Sequence, residues 1–396
     1  MNTTRSSQFP GLHAAFALLR PAVRAGWIWI VACAGLLVPL AALAQDAATS
    51  PQPFGAEAAA VARVLDRADP AASNIHSVLV MRDGEHLAER YYAGKDQTIY
   101  SLWRSHRGFG AQDLHDMRSV SKSVLALVYG ILLARGEVPD LDTPVASLYP
   151  QCADQQGASS TPLRVRHLLT MTTGLDWDEP SPVRRPTRDD QSALLWTGSV
   201  AEHVLCRVRV AEPGTHFVYS GGATAVLADI MARSTGRTLE DLVGHELFDP
   251  LGISGWTWTH DLRGRAVAFA GLRLRPQDLL TLGLLVLDQG RWQGRQVVPA
   301  AWIEAATHAQ VSASADYGYG YQWWVRTHRI GGRPVRVIQA IGNGGQRLYV
   351  VPALRLVVTM TAGNYGELGI LAEEDALFTE LAAALPPASE GVAASR

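Results

Sequence analysis

Hydrophobic and polar positions divide the chain into three zones. From Ile75 to Tyr92 an apolar run, the polar stretch Arg82-Asp83-Gly84-Glu85 and a second extended run predict a β-hairpin. From Ser121 to Arg135 the apolar positions Val124, Leu125, Leu127, Val128, Ile131 and Leu132 recur at helical spacing over a broad face, so this helix is expected to be buried on most sides. Between about 140 and 260 the chain is punctuated by proline and reads as short helices, with segments at Val165–Met171, Ser199–Arg207 and Ala223–Ser234. A further helix is expected over Pro276–Gln289, stopped by Gly290. Three β-rich runs follow, Val335–Ala340, Arg347–Val351 and Leu356–Thr361, before a last helix around Leu371–Leu385. A hairpin first, helices in the middle and strands last predict an α/β (α+β) fold: an antiparallel sheet assembled from both chain ends and flanked by helices, with a helical part inserted. The expected division is an α/β part at about 55–118 and 264–385, a helical part at about 119–263, and a disordered tail over 386–396.

The N-terminal 44 residues stand apart. Arg5, Arg20 and Arg24 are their only charges, and an apolar run from Ala25 ends in Ala42-Leu43-Ala44. This is the pattern of a signal peptide cleaved after Ala44, which predicts a periplasmic or secreted protein. The other reading is an uncleaved membrane anchor, since twenty apolar residues can span a bilayer. Cys33 lies in this segment, which leaves Cys152 and Cys206; export permits a disulfide between them, and two buried thiols are the alternative. No Cys-x-x-Cys or His-Glu-x-x-His spacing occurs, so neither a metal nor an organic cofactor is expected.

Composition changes the picture at one point. The 35 cationic residues balance 37 acidic ones, giving a formal charge of -2, which argues against nucleic-acid binding. Of those cations only Lys95 and Lys122 are lysines. Lys122 lies in Ser119-Val120-Ser121-Lys122, at the start of the apolar helix. Residues three apart share a helical face, so the Ser119 hydroxyl and the Lys122 amine are expected to be neighbours. An amine can accept the serine's proton where a guanidinium cannot. The bland alternative is a capping Ser119 with Lys122 snorkelling to solvent.

Two further segments fit the same chemistry. In Pro213 to Gly222 a glycine-flanked Tyr219 precedes a helix, placed either to shuttle protons or simply to pack. Gly342-Asn343-Gly344-Gly345 joins two predicted strands, where absent side chains let backbone N–H groups approach a ligand; a plain hairpin turn is the alternative. The aromatic run Tyr317 to Trp324, Tyr319 included, and Trp177 beside Asp178 and Glu179 are read as cleft lining or as core. No Gly-x-Ser-x-Gly elbow, Ser-Asp-Asn or Lys-Thr-Gly is present.

Ser119 to Lys122, Leu168 to Trp177, Phe217-Val218-Tyr219-Ser220, Pro250-Leu251-Gly252-Ile253 and Gly344-Gly345-Gln346 occur in this order. With them the chain resembles the serine β-lactamase and penicillin-binding-protein-like hydrolases, class C β-lactamase-related, and especially the 6-aminohexanoate-dimer hydrolase and esterase-like branch. The resemblance runs from about Ser77 to Asn364. It implies a β-lactamase/transpeptidase-like fold with Ser119 as acylated nucleophile, Lys122 as its base and Tyr219 as proton relay. It also implies an oxyanion hole from the backbone N–H groups of Ser119 and Asn343, and contributions to substrate binding from Trp177, Tyr319, Gly342 and Gly344. The family's cation before Thr-Gly falls on Ala340-Ile341-Gly342, where this sequence has none, and Ser220-Gly221 stands where a β-lactamase has Asn after its Tyr. The expectation is a hydrolase of small-molecule esters or amides. The alternatives are a D-Ala peptidase or β-lactamase, and an inert periplasmic binding protein on the same scaffold.

Overall fold

The strand-forming runs at the two ends of the chain meet in one sheet. In the computed structural model, which describes residues 53–153, 161–179, 189–367 and 369–386, eight strands form its antiparallel main sheet. They are β1 (Ile75–Arg82), β2 (Glu85–Tyr91), β3 (Val311–Ser312), β4 (Tyr317–Tyr319), β5 (Trp324–Ile330), β6 (Arg333–Gly342), β7 (Gln346–Val351) and β8 (Leu356–Ala362). Their spatial order is β3-β4-β5-β6-β7-β8-β1-β2. The closing seam pairs β1 with β8, from Ile75 opposite Ala362 to Arg82 opposite Leu356. The proposed signal segment, residues 180–188 and the tail beyond Pro386 lie outside the described residues.

Five longer helices frame this sheet: α1 (Pro53–Ala68), α2 (Val120–Ala134), α3 (Gly221–Thr235), α4 (Pro276–Leu287) and α5 (Gly369–Ala383). Strand periodicity sends alternate residues to opposite faces. Val78 and Val80 of β1 join Val64 and Leu65 of α1 and Phe378 and Leu381 of α5 in one core. Leu79 and Met81 face the other way, into a core shared with α2, α4 and α3. Because helices cover both faces, β1, β7 and β8 are buried along their whole length. That is why they read as continuous apolar runs rather than alternating ones.

Helix α2 occupies the middle of the second core, with Val120 to Leu132 all buried. It packs against β6 on one side and against α3 on the other. Three parts of the fold depart from the sequence reading. The helix over Pro53–Ala68 was not anticipated, and the segments 311–312, 317–319 and 324–330, in and beside the aromatic run, are strands of the main sheet. Gly318 and Gly320 interrupt the strand pattern there because a Cβ at either would collide with Ala309, or with the Ala306 and His308 carbonyls. The helices predicted at Val165–Met171 and Ser199–Arg207 are shorter, at Val165–Leu169 and Val200–Leu205. Cys152 and Cys206 are joined by a disulfide that ties segments 54 residues apart, which decides between the two readings of that pair.

Candidate active site

The first turn of α2 rejects the bland reading of Ser-x-x-Lys. Ser119 holds the N-cap position, yet its hydroxyl makes no capping hydrogen bond. Instead the Lys122 amine donates to Ser119 Oγ at 3.0 Å and to the Phe269 carbonyl at 3.0 Å. Lys122 is only 1% exposed, so it does not snorkel. A buried amine held on two oxygens, one of them a serine hydroxyl, has the geometry of a base beside its nucleophile. The dipole of a 15-residue helix adds positive potential where negative charge would develop on Ser119.

The residue before Ser119 is held in an unusual conformation. Arg118 has φ +49°, a left-handed value that costs a non-glycine residue about 1–3 kcal/mol unless its surroundings enforce it. Several contacts do so. Its guanidinium donates to the Gln97 carbonyl at 3.0 Å, lies 3.5 Å from Asp116 and stacks 4.2 Å above the Tyr365 ring. Asp116 is itself buried, paired with Arg273 at 2.7 Å and accepting from the Ile99 N–H at 2.6 Å. Arg118, Asp116 and Tyr365 thus fix the direction in which the chain enters α2 at Ser119. None carried a signal in the sequence, because each acts through contacts distant along the chain.

The third side of the site comes from the turn before α3. Ser220 caps that helix through the Ala223 N–H at 3.0 Å, which leaves Tyr219 one residue outside it. The Tyr219 ring centroid is 4.7 Å from Lys122 Nζ, and the ring stacks on Trp324 at 5.7 Å. Trp324 also meets Tyr319 at 4.8 Å and Phe217 at 5.1 Å from Tyr319 completes the cluster. Ser119, Lys122 and Tyr219 therefore converge. Tyr319, at 1% exposure, supports this aromatic wall from behind, and burial raises its phenol well above the usual range, assisted by Tyr219 and Glu179.

Glycines bring the sheet edge to the same place. A Cβ on Gly342 would lie 2.4 Å from the Met117 carbonyl, so only glycine lets the end of β6 pass the segment leading to Ser119. Asn343 is exposed in the following turn, and its Oδ1 accepts from the Gly366 N–H at 2.9 Å. Gly344 lies against the Tyr365 ring, the same ring that carries Arg118. Trp177 is set further back: it packs under Gly222 and donates from Nε1 to Glu179 at 3.0 Å. Glu179, which the sequence reading noticed only as a neighbour of Trp177, sits inside the constellation. It accepts from the Gly221 N–H, two residues after Tyr219, and from Gln191 Nε2 at 2.6 Å. Burial raises its carboxyl above the usual range, and the Lys122 charge is the largest influence in the opposite direction.

Behind Phe269 lies an apolar cavity of about 440 Å³, lined by Leu194, Leu195, Ala225, Ala228, Leu239 and Val267 among others. It shares the Phe269 wall with Lys122, but Ser119, Lys122 and Tyr219 do not line it.

Comparison with known proteins agrees with this architecture. The family model described as Beta-lactamase matches residues 67–377. The 6-aminohexanoate-dimer hydrolase of Paenarthrobacter ureafaciens is 29% identical over 353 residues, covering 83% of each chain. Among solved structures, EstCE1, a hydrolase with promiscuous acyltransferase activity, superposes with a TM-score of 0.64 at 18% identity, over 84% of this chain and 99% of that one. A penicillin-binding protein homologue from Caulobacter crescentus superposes with a TM-score of 0.62 at 16% identity, over 83% and 96%. A serine and a buried lysine at the head of a central helix, beneath an antiparallel sheet of this order, are thus found in a chain matched over most of its length. It belongs to the Beta-lactamase family, is similar to the 6-aminohexanoate-dimer hydrolase, and is a serine hydrolase.

Proposed function

We propose that the protein is an exported hydrolase that cleaves a small carboxylic ester or amide through an acyl-enzyme on Ser119. The observation that carries this reading is the 3.0 Å contact between a buried Lys122 amine and a Ser119 hydroxyl that caps nothing. As Ser119 Oγ attacks the substrate carbonyl, Lys122 takes its proton. The backbone N–H groups of Ser119 and Asn343 receive the oxyanion, at the helix start and at the turn after β6. Tyr219 then delivers a proton to the leaving alcohol or amine as the carbonyl re-forms and the carbon–oxygen or carbon–nitrogen bond breaks. Water repeats the sequence in reverse order of proton transfers and frees Ser119. Trp177, Tyr319, Gly342 and Gly344 shape the surroundings of these groups rather than exchange protons.

Ala340-Ile341-Gly342 carries no cation, and Ala340 is fully buried, so this strand edge has nothing to grip a carboxylate beside the scissile bond. Uncharged esters and amides are accordingly the favoured substrates. Turnover measured on simple aliphatic esters, linear amides, D-Ala peptides and β-lactams is expected to be fastest on the esters. Hydrolysis of D-Ala peptides with none of simple esters would overturn this reading in favour of a peptidase.

Export is supported by the Cys152–Cys206 bridge, because such bonds persist in oxidising compartments. N-terminal sequencing of the secreted or periplasmic protein is expected to begin at Gln45. An intact Met1 or Asn2 would contradict cleavage.

A further inference from the structure

We propose that the cavity behind Phe269 is a second ligand site, which takes a neutral aliphatic molecule with a polar end, of the class of a medium-chain alcohol. The inference does not depend on the acyl-enzyme reading, since Ser119, Lys122 and Tyr219 do not line this cavity.

Helix periodicity opens the space. Ala225, Ala228 and Ala232 recur at spacings of three and four on α3, so they share one face, and their methyl groups leave room that longer side chains would fill. The facing walls are tied into a frame. Arg265 donates to the Leu194 carbonyl at 3.5 Å and to the Thr197 carbonyl at 2.9 Å while pairing with Asp261 at 2.7 Å. The Leu262 N–H donates to the Leu195 carbonyl at 3.0 Å. These bonds join the 194–197 and 261–265 segments, which holds the gap beside α3 open. Its volume of about 440 Å³ falls in the range of roughly 300–1,000 Å³ usual for small-molecule sites.

The lining selects the chemistry of the guest. Leu194, Leu239, Val267 and Phe269 are buried, whereas His260 is exposed and marks the mouth. Apart from the Phe269 ring the apolar walls are alkyl side chains, which suit an aliphatic chain. Every charged group on the lining already has a partner. Asp229 accepts from the Tyr149 hydroxyl at 2.6 Å, Glu240 lies 2.6 Å from His260, and Asp261 pairs with Arg265. A charged guest would give up its hydration without meeting a free counter-charge. An alkyl chain gains by leaving water, and its polar end stays at the mouth beside His260 and Glu240.

Titration calorimetry with 1-octanol tests this on the purified protein. Saturable binding of one equivalent is expected. Octanoate and octylammonium keep the chain but add a charge, and each is expected to bind at least about tenfold more weakly. Ala228→Phe, which fills the cavity from α3, is expected to weaken octanol binding by at least about tenfold, and the smaller Ala225→Leu by less. Circular dichroism establishes that each variant is folded; should Ala228→Phe not fold, Ala225→Leu and the charge series decide the matter. Absence of saturable octanol binding to the parent, equal affinity in the parent and the folded filled variants, or octanoate binding as tightly as octanol would each overturn the inference.

Discussion

Ser119→Ala is expected to lower kcat on an ester substrate by at least about 10⁴-fold while leaving the fold and its thermal stability nearly unchanged. Both halves of this expectation come from the same observation. The Ser119 hydroxyl makes no capping hydrogen bond to α2, so its loss removes none of the roughly 1 kcal/mol that an N-cap side chain contributes. This hydroxyl accepts from the Lys122 amine, which keeps the Phe269 carbonyl in the variant. Thermal denaturation and kcat measured on the same preparation would check the two together. Turnover within tenfold of the parent would remove Ser119 from the mechanism, whereas a collapse in stability would show that the hydroxyl holds the helix start in place.

Lys122→Arg is expected to be nearly as damaging, with kcat/KM reduced by about 10³-fold. A guanidinium keeps the positive charge and remains a donor, but it does not give up its proton at accessible pH and so cannot receive one from Ser119. It is also larger than the amine that it replaces, at a position only 1% exposed. Lys122→Met provides the control, since it fills a similar volume with no charge and reports whether the site folds without an amine. If Lys122→Arg retained most of the activity while Lys122→Met lost it, the lysine would be acting through its charge alone and another group would be the base.

Much of this was legible in the residues themselves, and the reasons differ from element to element. The hairpin Ile75 to Tyr92, the buried helix after Ser119 and the three last strands show in sequence because local periodicity and burial agree. Ser119 and Lys122 stand out because their chemistry depends on a spacing of three within one helix. In a chain that uses arginine almost everywhere else, the retained Lys122 is informative. Tyr219 and Gly342 could be suspected from their flanking glycines, although only the fold brings them to the same point.

The remaining site residues were not legible, because they work across long separations. Arg118 is strained by partners at Gln97, Asp116 and Tyr365. The acceptor at Phe269 is a backbone carbonyl, which any residue type supplies. Glu179 matters through the Gly221 N–H and Gln191, neither predictable from an acidic residue beside a tryptophan. The strands over 317–319 and 324–330 were read only as aromatic cleft or core, because glycines placed for close packing break their alternation. The substituted Ala340-Ile341-Gly342 edge was visible in sequence, and its burial against the segment leading to Ser119 gives that change a structural meaning.

The central claim is a covalent acyl group on one serine, and intact-protein mass spectrometry during turnover of a slow ester tests it most directly. The parent protein is expected to gain the mass of one acyl group, mapped by peptide digestion to the peptide containing Ser119, with no gain in Ser119→Ala. An unchanged gain in Ser119→Ala, or an acyl group mapped to another residue, would contradict the account.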